Sequence, residues 1–253
     1  MSSDEPRLRG QAGRRRGPYP LGQVPDAVLM GIGRQLVHRL AIGHGDITGD
    51  DFGTIFANAI AGEHRARPLG VADVAWNGCA WSVKTVQASR PFEQPLVRLI
   101  SGRNSPDYSL GIENPHNDPA ATGRAVLSIW NARVNEALAQ FDDLRIVVMV
   151  RNMATREYAL FEEEAQRFTP DDYRWEFNRQ GNLEGRDRGD GEHRFTWQPH
   201  GSQFTILRQV PASTRHFSIN RNVPMVMTDT ILASIRYNEQ WITIHGQRGR
   251  GYA

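Results

Sequence analysis

Apolar residues recur at helical spacing early in the chain, with Val28, Leu29, Ile32, Leu36, Val37 and Leu40 on one stripe. That spacing predicts an amphipathic helix from Pro25-Asp26 to about Ile42. The run 43–46 (Gly-His-Gly-Asp) breaks it, and Thr48 stands as an N-cap with Asp50 and Asp51 in the following turn. A second helix carries Phe52, Ile55, Phe56 and Ile60 and ends near Gly62-Glu63. From Leu69 to Trp76 the pattern becomes that of a strand. Asn77-Gly78 is the strongest two-residue hairpin signal, and Cys79 to Val86 is the return strand. A third strand is expected over Leu96–Ser101, a loop over 102–121, and a helix capped by Thr122 and running to Phe141. Arg145–Val150 is a near-continuous apolar run suited to burial on both faces, and Tyr158–Phe161 reads as another strand.

Past Phe168 the chain turns polar, with strands expected around Phe195–Trp197 and Gln203–Leu207, a short helix at Thr228–Arg236 and a strand at Trp241–His245. The fold class expected is α/β with a mixed, α+β sheet, and three regions follow. Residues 1–18 form a disordered basic arm with Arg7, Arg9, Arg14, Arg15 and Arg16. Residues 19–165 form a core with flanking helices. Residues 166–253 form a β-rich region packed on that core.

Composition narrows the function classes. No apolar run reaches the ~18–20 residues of a membrane helix, so no membrane association is expected. The basic start lacks an apolar stretch behind it, which argues against a secretory signal and for a cytoplasmic protein. A single cysteine, Cys79, excludes a disulfide framework and a cysteine zinc site. Of 30 basic residues only Lys84 is a lysine. Codon bias toward arginine accounts for the deficit but not for where the survivor stands. A lysine differs from arginine as a compact ammonium whose pKa shifts readily.

In a hairpin turning at 77–78, Asp73 lies across from Ser82, and Lys84 is two residues further on. Residues two apart share a face, so Asp73, Ser82 and Lys84 converge while Trp81, Val83 and Thr85 point the other way. An exposed cross-strand ion pair would satisfy the same pattern and be worth only ~0.2–1 kcal/mol. A carboxylate beside an ammonium also suits metal-assisted phosphodiester hydrolysis, with Mg²⁺ held by oxygen ligands. A second acid is then needed. Glu63 is the first choice, followed by Glu93, Glu113 and Glu136.

Asp73 followed by Ser82-Val83-Lys84 across a hairpin resembles the PD-(D/E)xK nuclease superfamily, in the Ser-x-Lys form found among type II restriction endonucleases. The resemblance implies a restriction-endonuclease-like core of helix, three-stranded meander, helix and strand, matching the order read over residues 48–151. It implies Asp73, Lys84, Glu63 and Ser82 as catalytic residues and Asp73, Glu63 and Val83 as the metal site. Ala72 stands where the family has proline, and Ser82 where it has its second acid. The implied function is a Mg²⁺-dependent, sequence-specific endonuclease of double-stranded DNA acting as a homodimer. A non-catalytic DNA-binding protein on a decayed nuclease fold and a structure-specific repair nuclease are the alternatives.

The polar stretch 173–204 is rich in side chains that make bidentate contacts to base edges or hold phosphates. Arg174, Asn178, Arg179, Gln180, Asn182, Gln198, His200, Ser202 and Gln203 are its candidate DNA-binding residues. The same amides would also serve a merely solvated hairpin surface over a core of Trp175, Trp197 and Phe204. His116-Asn117-Asp118 hints at a ββα-metal nuclease without the second histidine, and Cys79 with His64 at a nucleophile pair.

Overall fold

The computed structural model of the chain describes residues 17–245, so the expected basic arm lies outside the described residues but for Gly17 and Pro18. Helix α1 (Asp26–Ala41) buries Val28, Leu29, Ile32 and Leu36. Helix α2 (Gly49–Ile60) begins on a capping box, in which the Thr48 hydroxyl accepts from the Asp51 amide and the Asp51 carboxylate accepts from the Thr48 amide. The strands β1 (Glu63–Leu69), β2 (Ala72–Trp76) and β3 (Cys79–Gln87) follow as an antiparallel meander. Next come β4 (Leu96–Arg103), the short helix α3 (Pro106–Leu110) and the long helix α4 (Pro119–Leu138). Strand β5 (Asp143–Asn152) then runs parallel to β3, and β6 (Glu157–Glu164) returns antiparallel beside it.

Strands β7 (Tyr173–Phe177), β8 (Leu183–Asp187), β9 (His193–Gln198) and β10 (Gln203–Gln209) form an antiparallel meander of their own. Strand β11 (Arg215–Ser218) and helix α5 (Thr228–Ser234) complete the described chain. The fold is thus mixed α+β with two sheets. The larger has the order β1-β2-β3-β5-β6-β11 and the smaller β4-β10-β9-β8-β7.

Alternation along β5 and β6 divides two cores. Val147, Met149, Tyr158 and Leu160 pack with α1 and α2 on one face of the larger sheet. Ile146, Val148, Ala159 and Phe161 face the other way, toward α4 and the inner residues of the smaller sheet, Trp175, Phe195 and Phe204. Burial on both faces explains the unbroken apolar run in β5.

Three expectations are corrected. The strand at 96–103 is not the third strand of the β2–β3 meander. It pairs with β10 in the other sheet, and its place is taken by β1. Strand β1 is a polar edge strand, Glu-His-Arg at its start, which carries no apolar period to announce it. Helix α4 starts earlier than Thr122: Asp118 caps it by accepting from the Ala121 amide at 2.8 Å, with Pro119 at its first position. Residues 241–245 form no strand but follow a 3₁₀ turn (Glu239–Trp241) as exposed chain. Each sheet draws strands from both sides of residue 165, because β4 joins the C-terminal strands and β11 joins the N-terminal ones.

Candidate active site

Asn77 and Gly78 both have positive φ, 43° and 85°, the signature of a type I′ turn. This turn sets the register Val74–Trp81, Ala75–Ala80 and Trp76–Cys79. Asp73, one residue beyond that ladder, is brought beside Ser82. Its Oδ2 accepts the Val83 amide at 2.8 Å and the Ser82 hydroxyl at 3.4 Å, and lies 3.7 Å from Lys84 Nζ. The two charged side chains are only 24% and 19% exposed. Ser82 is buried, and the Val83 side chain sits in the core beneath α1 and α2. Burial pushes the Lys84 ammonium below the usual lysine range, and nearby Arg133 acts in the same direction, while Asp73 opposes both.

Arg133, on α4, is the functional candidate that sequence reasoning missed. It donates to the Ser101 carbonyl at 2.8 Å, to Asn104 Oδ1 at 3.4 Å and to the Gly70 carbonyl at 3.3 Å. It therefore ties the β1–β2 turn to the end of β4, with Asp73 and Glu136 both supporting its charge against burial. A faint signal existed in the two glycines that frame it. Gly102 has φ +103°, and a Cβ there would lie 2.5 Å from Arg133 Nη1. Gly70 has φ +61°, and a Cβ there would lie 2.0 Å from the Arg133 carbonyl oxygen. Gly70→Ala is expected to cost more than the ~1–3 kcal/mol of left-handed strain, because the turn must also lift off the helix. Gly181→Ala is the control, with φ +76° and nothing within 4 Å of its Cβ. Thermal melting should show a clearly larger loss for Gly70→Ala; equal losses would mean that the close approach costs nothing.

Of the four acids proposed as a second ligand, Glu63, Glu93 and Glu113 are held elsewhere. Glu63 is exposed and pairs with Ala75, which pairs with Ala80, four residues before Lys84 on β3. At ~3.3 Å per residue it stands roughly 13 Å from Lys84 along the strand. Glu93 is exposed and bonded to Arg90, and Glu113 lies in the loop that lines a groove ahead of α4. Glu136, one helical turn from Arg133, comes nearest through its field on that guanidinium. Among the described residues no three His, Cys, Asp or Glu side chains cluster as a metal cage. The three contacts of Asp73 all fall on Oδ2. Oδ1 is left for a hard cation, so the residues fit a Mg²⁺ site on the Asp73 carboxylate completed by water and substrate phosphate.

The other chemical hints have structural roles. Cys79 is buried, and burial together with Asp143 pushes its thiol up, away from the reactive thiolate. His64 lies on the edge strand β1 and contacts Thr54 Oγ1 at 3.2 Å and Asp50 at 3.5 Å. His116 stacks on Phe177 with ring centroids 4.0 Å apart, and Asp118 is spent as the α4 cap.

The β7–β8 and β9–β10 turns lie at one end of the smaller sheet, because alternate turns of a meander share an end. Arg179 and Gln180 are exposed on the first turn, with Asn182 half-buried at its close. His200 is exposed on the second, between half-buried Gln198 and Ser202-Gln203. The same end continues into the site, because Gln203 pairs with Arg103 and the Asn104 amide donates to the Ser202 carbonyl at 2.8 Å. Two candidates stand apart. Asn178 is consumed by its own turn, accepting from the Gln180 and Asn182 amides at 3.0 Å each and donating to Glu184. Arg174 pairs with Arg186 toward the opposite end of the sheet and is ion-paired with Glu176 at 3.2 Å. No helix among the described residues is long and apolar enough to cross a membrane.

The chain matches no family model, no curated protein and no solved structure.

Proposed function

We propose that this chain is a Mg²⁺-dependent endonuclease of double-stranded DNA, of the restriction-endonuclease kind, with its centre at Asp73, Ser82 and Lys84. The observation that carries the reading is the pairing of Asp73 with Lys84 across β2 and β3, largely shielded from water. The element order α2, β1–β2–β3, α4, β5 supports it, since a helix, a meander, a helix and a parallel strand is the arrangement the resembled nuclease family uses. Asp73 Oδ1 would hold the ion, which when bound supplies charge neutralisation and a more acidic water.

The remaining chemistry belongs to the chain. The Val83 amide and the Ser82 hydroxyl hold the Asp73 carboxylate in one orientation. The Lys84 ammonium places a compact positive charge where negative charge develops on the phosphate. Arg133 adds a second, immobilised by three acceptors, one each on β4, the loop after it and the β1–β2 turn. The turns at 179–182 and 198–203 extend from this centre and would meet a duplex whose backbone reached it, offering Arg and Gln side chains to base edges.

The test is incubation of plasmid DNA with the full chain, with and without Mg²⁺. Discrete fragments are expected with Mg²⁺ and none for Asp73→Ala. Cleavage that persists in Asp73→Ala overturns the reading. That no three His, Cys, Asp or Glu side chains cluster among the described residues favours one competing reading, a DNA-binding protein without cleavage. That reading wins if DNA is retained in a mobility shift but never cut.

A further inference from the structure

The chain after β11 is built unlike the rest of the molecule. No residue from 211 to 245 is buried, and α5 places no side chain in the core. Yet seven of the sixteen exposed large hydrophobic side chains among the described residues fall between Met225 and Ile244. Trp241 is 59% exposed and Ile244 92%. Soluble monomers rarely leave so much apolar surface together, and such patches mark interaction sites. The same chain carries an unfilled apolar groove of about 370 Å³ between α1 and β11, lined by Leu29, Met30 and Val37 on one side and Phe217 and Ile219 on the other.

We infer that the groove receives the C-terminal arm, residues 225–244, of a second copy of this chain, giving a reciprocal arm-exchanged dimer. Connectivity argues against the arm filling its own groove. The arm is rooted in the groove wall at Phe217–Ile219, and the Val226 amide is bonded to the Ala41 carbonyl at 2.7 Å, at the far end of α1. The chain has therefore already passed the length of the groove when the apolar residues begin. Charge is complementary as well, since the arm sets Asp229 and Glu239 against the single Arg236 while the groove rim carries Arg34. Arg34 on the groove rim, and Asp229 and Glu239 on the arm, make no ion pair among the described residues. A two-fold axis satisfies both surfaces at once, since each copy offers one arm and one groove. The inference does not rest on the nuclease reading, and its test reads no cleavage.

The experiment is sedimentation velocity of the full chain at low micromolar concentration, without DNA. The wild type should sediment as a dimer, and both the arm variant Trp241→Glu/Ile242→Glu and the groove variant Val37→Glu as monomers with unchanged far-UV circular dichroism. An equimolar mixture of the two variants should regain dimer in part, because the intact arm of one fits the intact groove of the other. Arg34→Glu, too exposed to unfold the chain, should weaken the dimer about two- to fivefold, the worth of one surface ion pair. A monomeric wild type, a dimer that survives in both variants, or a mixture that stays monomeric would each overturn the proposal.

Discussion

Lys84→Met is expected to lower DNA cleavage by about 10²–10³-fold while leaving the protein as stable as before or more so. The loss is the usual cost of removing one preorganised charge from a developing anion. Burial holds the folded-state pKa of Lys84 below its unfolded value, so folding carries a penalty for the charged form. That penalty is complete below the folded value and disappears above the ordinary lysine value of ~10.4. Any gain in melting temperature on replacement should therefore be present at neutral pH and fade as the pH rises toward that value. Wild-type cleavage should correspondingly decline on its alkaline side at a pH below ~10.4, as the ammonium is lost. Kinetics and melting curves on one variant separate the two roles. A large fall in melting temperature with cleavage retained would make the Asp73–Lys84 pair a structural ion pair and nothing more.

Arg145→Met is expected to be the most destabilising single change. Arg145 is 2% exposed, on β5 opposite Trp81 of β3, and it holds a polar knot under the N-terminal segment. Its guanidinium bonds the Asp143 carboxylate at 2.6 Å, Glu162 Oε2 at 3.3 Å and the Tyr19 carbonyl at 3.0 Å. Glu162, with no side-chain exposure, also accepts from the Tyr19 hydroxyl at 2.8 Å and the Trp81 indole at 2.7 Å. Breaking a buried pair from one side costs ~3–5 kcal/mol, because the stranded charge keeps its desolvation penalty. At ~2–4 °C per kcal/mol for a domain of this size, the melting temperature should fall by roughly 6–20 °C. Burial already raises the Glu162 carboxyl above the usual range, and Arg145 is among the groups that hold it down. Without Arg145 the neutral form is favoured further, so the deficit should shrink as the pH falls through the raised value and grow as it rises. Arg145→Met combined with Glu162→Leu should recover part of the loss. No recovery would mean that the arginine acts through packing on Tyr19 and Trp81, over whose rings it lies at 5.6 and 5.7 Å.

Much of the centre of the molecule was legible before its tertiary structure. The helical stripe of α1, the Thr48 capping box, the Asn77-Gly78 turn and the apolar run of β5 are local signals, each acting over a few residues. They suffice to put Asp73, Ser82 and Lys84 on one face, since a two-residue turn and a period of two leave little freedom. Elements without local contrast were not legible. Strand β1 has no apolar alternation, β7 and β8 are short strands in a polar stretch, and the apolar residues at 241–245 suggested a strand where none forms among the described residues.

The sequence by itself determined the hairpin and the convergence of a carboxylate with the lone lysine. Tertiary structure decided what surrounds them. It carried β4 out of the meander into a second sheet, which set Ser101 and Asn104 against Arg133 and joined the turns at 179–182 and 198–203 to the site. It also kept Glu63 at the wrong end of its strand and set the Asp73 carboxylate between two cations. The physical reason is range: a turn or a cap is specified by neighbours within a few residues, whereas a strand's choice of sheet is settled by which distant surface it can bury.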